Sequence, residues 1–244
     1  MRIGEIGGVE RLPCFYINSI MISFKRFLTS KLNSPKYGDL LPHHEDKIDP
    51  NDKFIKHFRE SGLLNKYENI ECPDELTTLQ ELKFLQDLMQ NVSDEDLNFA
   101  LNAETDEEEM YRKFMKENGI NLPETFVSDI MKQTDPILFY MKKYYNRGRP
   151  EQFANANNIP FNVAITHTAM HPSYPSGHAF DSYILSNVLK QIAPHKAKEI
   201  DMFAKKMRDS RTNVGLHYPS DNVISEVLAK DVLNSGLLTI PSKK

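Results

Sequence analysis

From Glu75 to Gly236, apolar residues return at three- and four-residue steps, a period that admits little besides α-helices. Leu79, Leu82, Phe84, Leu85, Leu88 and Met89 make one such face. Ser93-Asp94-Glu95-Asp96 reads as a helix start, with Ser93 as cap and Asp96 in the first turn. The acidic run Asp106–Glu109 opens the next helix, where negative charge suits the positive helix end. Met110, Phe114 and Met115 supply its buried face, and Asn118-Gly119 stop it. Phe126–Tyr145 reads as a helix that Pro136 kinks or restarts. Further helices are predicted over Phe180–Ile192, residues 196–209 and Ser220–Asn234, the last closed by Gly236. With 10 glycines and scarce polar-apolar alternation, strands have little support. The expectation is an all-α, single-domain helical bundle over 1–244, with its core at 75–236 and an N-terminal extension of unknown role at 1–70.

Composition limits the partners. A net charge of −4 gives no pull toward nucleic acid. No run of about 20 apolar residues exists, so no membrane-spanning segment is expected. The stretch Cys14–Phe24 comes nearest to a signal peptide. Glu5 and Glu10 precede it, and no small-residue cleavage site follows. It is therefore read as a buried helix or strand, and the chain as cytoplasmic. Cys14 and Cys72 read as free thiols, with a single bridge between them left open. His43-His44 lie in the loop-like stretch Lys31–Asp52 with no third ligand at a diagnostic spacing, so no metal site is predicted.

Three strings in the second half carry candidate chemistry. Lys142 and Arg149 lie seven residues apart, about two helical turns, which would put both cations on one face toward a common anion. Lys143 and Arg147 make the region basic in any case, so a solvated face describes it as well. Tyr174-Pro175-Ser176-Gly177-His178 turns sharply into an apolar helix. The Ser176 hydroxyl and the Gly177 N–H then sit at a positive helix end suited to an oxyanion, with His178 beside it as a proton donor. A plain capped helix start fits the same residues. In Ser210-Arg211…His217…Asp221, the carboxylate follows the imidazole by four residues and can fix its tautomer, leaving the other ring nitrogen as a nucleophile. A core histidine and a helix-start carboxylate are the alternative.

Taken together and in order, these residues resemble the signature of the type 2 phosphatidic acid phosphatase superfamily. That group includes soluble bacterial class A non-specific acid phosphatases, membrane lipid phosphatases and vanadium haloperoxidases. Its pattern is Lys, six residues, Arg-Pro; then Pro-Ser-Gly-His; then Ser-Arg, five residues, His, three residues, Asp. Here Lys142, Arg149, Pro150, Pro175, Ser176, Gly177, His178, Ser210, Arg211, His217 and Asp221 fill every position. The resemblance covers about 75–236 and implies a phosphatase core with its active site at helix ends. It implies His217 as the nucleophile of a phosphohistidine intermediate, Asp221 as its orienting carboxylate, and His178 as general acid and then base. Lys142, Arg149, Ser176, Gly177 and Arg211 would bind phosphate, and no metal or other cofactor would be needed.

The expected activity is metal-independent hydrolysis of a small phosphomonoester, with class A acid phosphatases the nearest in size. Vanadate is expected to bind as an inhibitor. A vanadium-dependent haloperoxidase, with vanadate as cofactor, and a non-catalytic phosphate- or phospholipid-binding protein are the alternatives. A peripheral enzyme acting on lipid headgroups, docked through Cys14–Phe24, is a variant of the first reading, and homo-oligomerisation is left open. Phe153, Tyr174 and Phe180 flank the motifs as candidates for a leaving-group pocket, with core packing the alternative for Phe180. Specificity is expected in loops at 30–70 and 150–174, where Asn155, Asn157 and Asn158 read as turn formers.

Overall fold

The computed structural model describes Leu32, Asn33, Pro35, Lys36, Asp49 and residues 51–165 and 171–240. Cys14, the stretch Cys14–Phe24 and His43-His44 lie outside the described residues. The chain divides into two compact units, 1–33 and 34–244, and every helix named below belongs to the second. These are α1 (Lys53–Glu60), α2 (Leu63–Glu68), α3 (Glu75–Met89), α4 (Asp94–Thr105), α5 (Glu107–Glu117), α6 (Phe126–Tyr145), α7 (Pro150–Ala156), α8 (Gly177–Ile192), α9 (Ala197–Asn213) and α10 (Pro219–Asn234). Among the described residues there is no strand, and one isolated antiparallel bridge joins Lys36 to Arg147. No described helix is long and apolar enough to cross a membrane. The all-α expectation holds.

The start signals work as their chemistry requires. Ser93 Oγ accepts the Asp96 N–H at 3.1 Å, and Asp106, which ends α4, accepts the Glu109 N–H at 2.8 Å to open α5. Gly119 and Gly236 take left-handed backbone after α5 and α10. Two readings need correction. Phe84 is 46% exposed, because two residues past buried Leu82 is about 200° around the helix. The helix α6 runs through Pro136 without restarting, since Ile130, Ile137, Leu138 and Met141 on both sides of it are held in the core.

The central helix is α8, which packs against α6, α9 and α10. Its Phe180, Ile184, Leu185, Val188 and Leu189 are fully buried, each contributing on the order of 2 kcal/mol of apolar burial. The predicted extension 1–70 is too long. Phe58 of α1, with Leu64 and Tyr67 of α2, belongs to the same core, so the bundle includes these helices. Asp52 caps α1 and Phe54, Ile55 and Phe58 share one face of it, but only the partner surface places these short helices in the core.

Gly148 is fixed by close approach. A Cβ there would stand 2.6 Å from the Pro35 carbonyl oxygen, beside the Lys36–Arg147 bridge. Gly148→Ala is expected to push the Pro35–Lys36 segment away and cost about 1–3 kcal/mol, read as a lower urea midpoint at unchanged slope.

Candidate active site

The motif residues lie at helix ends. Lys142 is in the last turn of α6, Arg149 caps α7 ahead of Pro150, and Ser176 caps α8, with Gly177 and His178 its first two residues. Ser210 and Arg211 stand in the last turn of α9, because that helix runs on to Asn213 and not to 209. His217 lies in the loop between α9 and α10, and Asp221 in the first turn of α10. Three helix N-termini and two C-terminal turns thus supply the site.

Lys142 and Arg149 do not share a helix face. Asn146 adopts left-handed backbone (φ 49°), ends α6, and turns the chain so that Arg149 returns from a second helix. Arg149 Nε donates to the His171 carbonyl at 2.9 Å and Nη1 to the Leu216 carbonyl at 3.0 Å. The same Nη1 lies 3.3 Å from His217 Nε2. Lys142, 4% exposed, donates to the Pro172 and Pro175 carbonyls at 2.9 and 2.5 Å, so it braces the turn ahead of α8. Burial, then Arg149, pulls its amine down to about 7.

His217 is oriented by a saturated carboxylate. Its Nδ1 is 3.0 Å from Asp221 Oδ2, which also accepts the Ser173 hydroxyl and, at 3.0 Å, the Tyr218 N–H. Asp221 Oδ1 accepts Arg147 Nη1 at 2.7 Å. A carboxylate can only accept, so Nδ1 carries the hydrogen and Nε2 keeps its lone pair toward Arg149. Burial pushes the Asp221 carboxyl up, and Arg147, Ser173 and the Tyr218 N–H draw it back. His217 is held well below the ordinary histidine range, first by burial and then by Arg149, Lys142 and Arg211. All three motif cations are therefore within electrostatic range of one imidazole.

His178 and Arg211 have a separate set of contacts, reaching to α4 and α5. His178 Nε2 lies 3.0 Å from the Ala103 carbonyl oxygen and 3.6 Å from Glu107 Oε2. Burial, then Arg211, lowers it to about 3. Arg211, 2% exposed, pairs closely with Glu104 through Nη2, while its buried Nε has no hydrogen-bond partner. A buried guanidinium N–H left open beside a histidine is suited to an arriving anion. Ser176 Oγ accepts the Ala179 N–H at 3.4 Å, and its own N–H donates to the Asp221 carbonyl at 3.2 Å, tying the cradle of α8 to α10. Gly177 is open in one respect: a Cβ there would only touch Leu138 at 3.6 Å.

Sequence reasoning missed Arg147, Ser173 and Glu81. Arg147 is not part of a solvated basic face. It is 6% exposed, stacks over the Tyr218 ring at 3.9 Å, and reaches Ser220, Thr78 and Glu81 as well as Asp221. Glu81 accepts the Ser220 N–H at 2.7 Å and the Ser220 hydroxyl at 2.8 Å, which caps α10 from α3. No spacing links residues 78, 81, 147 and 221, so no local signal identifies this group. Phe153, Tyr174 and Phe180 are all buried, at 2%, 5% and 0% exposure, with Tyr174 and Phe180 in the main apolar core. Tyr174 packs edge-on to Tyr145 at 4.8 Å. Asn158 takes left-handed backbone (φ 53°), as a turn former does. Among the described residues, no group of three or more His, Cys, Asp and Glu side chains is arranged to hold a metal ion.

Compared with known proteins, the chain matches no family model and no curated protein.

Proposed function

We propose that the protein is a phosphomonoesterase working through a phosphohistidine on His217, with a small phosphorylated substrate in the cytoplasm. One observation carries this reading: His217 Nε2 keeps its lone pair with Arg149 Nη1 at 3.3 Å, while Lys142 and Arg211 act on the same imidazole electrostatically. A packing histidine has no use for three buried cations. A phosphate does, because catalysis of its transfer is mostly positioning and charge stabilisation.

In this reading Arg149, Arg211 and the N-terminus of α8 take the phosphate oxygens. Lys142 adds charge from behind the 172–175 turn that it braces. His217 Nε2 attacks phosphorus as the bond to the leaving alkoxide breaks, and the alkoxide takes a proton from His178. The new positive charge on the His217 ring is met by Asp221. In the second step His178 removes a proton from water, the oxygen attacks phosphorus, and the N–P bond breaks to restore His217.

The test is aryl phosphate hydrolysis from about pH 4 to about pH 8, in excess chelator, with and without vanadate. Metal-independent turnover blocked by vanadate is expected. In the empty protein His178 is uncharged above about 3, and a bound phosphate dianion raises it by offsetting Arg211 and Lys142. The alkaline limb of kcat is therefore expected at higher pH than that of kcat/KM. Lys142 loses its charge above about 7, so vanadate affinity is expected to fall as pH rises through that value. Tight vanadate binding without turnover, followed by halide oxidation with peroxide, would replace this reading with the haloperoxidase one.

A further inference from the structure

We propose that Glu107 is a positioning residue for His178: together with the Ala103 carbonyl it sets the ring, and it supplies the counter-charge that the imidazolium needs as an acid. The proposal rests on the phosphatase reading and adds a residue outside the three strings.

The acidic run that opens α5 is not uniform. Glu108 and Glu109 face outward and pair with Arg112 at 3.5 and 2.9 Å. Glu107 turns inward, with its side chain 11% exposed and Oε2 3.6 Å from His178 Nε2. Its other oxygen, Oε1, is buried and has no hydrogen-bond partner. A helix start alone would place a carboxylate in water, so this inward turn is not explained by the helix dipole. The Ala103 carbonyl can only accept, which puts the ring hydrogen on Nε2 and leaves Nδ1 as the nitrogen that exchanges a proton.

The surroundings of Glu107 are charged on every side. Arg211 faces it from α9, Asp135 from α6, His178 and Asp181 from α8, and Glu108 and Tyr111 share its own helix. Glu104, at the end of α4, also acts on His178 and raises it. Burial, then Asp135 and Glu108, pushes the Glu107 carboxyl up to about 8, with Arg211 opposing. When His178 takes charge, a carboxylate 3.6 Å away offsets it.

Glu107→Gln copies the shape of the protonated acid and cannot ionise. In the full-length protein, kcat for an aryl phosphate is expected to fall about 10-fold or more, with KM within about 2-fold. A carboxylate raises the imidazole, so its loss moves the alkaline limb of kcat by about 1 pH unit or more toward acid, and Glu107→Asp restores part of the shift. The second readout is the titration midpoint of the His178 ring by NMR with orthovanadate bound, which is expected to move the same way. A lower kcat with neither limb nor midpoint moved would reduce Glu107 to a structural role and overturn the proposal. If the unaltered protein hydrolyses nothing, the phosphatase reading fails, while the His178 midpoint still decides whether Glu107 governs that ring.

Discussion

His217→Ala is expected to reduce aryl phosphate hydrolysis by about 10⁴–10⁶-fold while leaving inorganic phosphate affinity within a few-fold. The split follows from the contacts. Phosphate would be held by Arg149, Arg211 and the N-terminus of α8, none of which depends on the imidazole for its place. Arg149 keeps the His171 and Leu216 carbonyls, and Arg211 keeps Glu104. The variant should also fold. It removes a neutral ring and only one of the four donors to Asp221, leaving Arg147, Ser173 and the Tyr218 N–H in position. Vanadate affinity should fall much further than phosphate affinity, because the pentacoordinate adduct needs the fifth ligand. The measurements are turnover and calorimetric titration with each anion. Residual turnover within about 10-fold of the unaltered protein would exclude His217 as nucleophile, and the proposed mechanism with it.

Arg147→Met is expected to be the most destabilising single change at the site, by about 3–5 kcal/mol, although Arg147 is in none of the three strings. The guanidinium bonds Asp221, Glu81, Ser220 and Thr78, at 6% exposure. Without it two carboxyl groups are left in a low-dielectric interior, and the link between α3 and the start of α10 weakens. In a domain of this size the cost lowers Tm by about 6–20 °C. The pH dependence has a definite sign. Removing the cation raises the folded-state pKa of Asp221 further, and a raised carboxyl contributes stability that is present below its unfolded value and lost as pH rises. The deficit should therefore be smallest near pH 4 and widen toward neutrality. A thermal melt series across that range checks it, and a constant deficit would mean that packing over Tyr218, at 3.9 Å, outweighs charge.

The sequence alone marked most of the helices from α3 onward and their starts, while α1, α2 and α7 fall in stretches it read as loop. Period, Ser93, Asp106 and Gly236 are local, and a cap or a left-handed glycine acts within one turn whatever lies beyond it. It also singled out His217 with Asp221, four residues apart across one turn, at 3.0 Å in the fold. The rest was decided in three dimensions. Arg149 meets His217 because Asn146 turns the chain after Tyr145 into a second helix, where the seven-residue spacing had put Lys142 and Arg149 on one face. Arg147 is buried because Glu81 and Thr78, 66 and 69 residues away, close on it. Glu107 turns toward His178 while Glu108 and Glu109 stay in water, a distinction that composition cannot express. A buried charge is stable only where opposite charge and hydrogen-bond donors converge from distant segments, and that convergence exists only once the bundle is assembled.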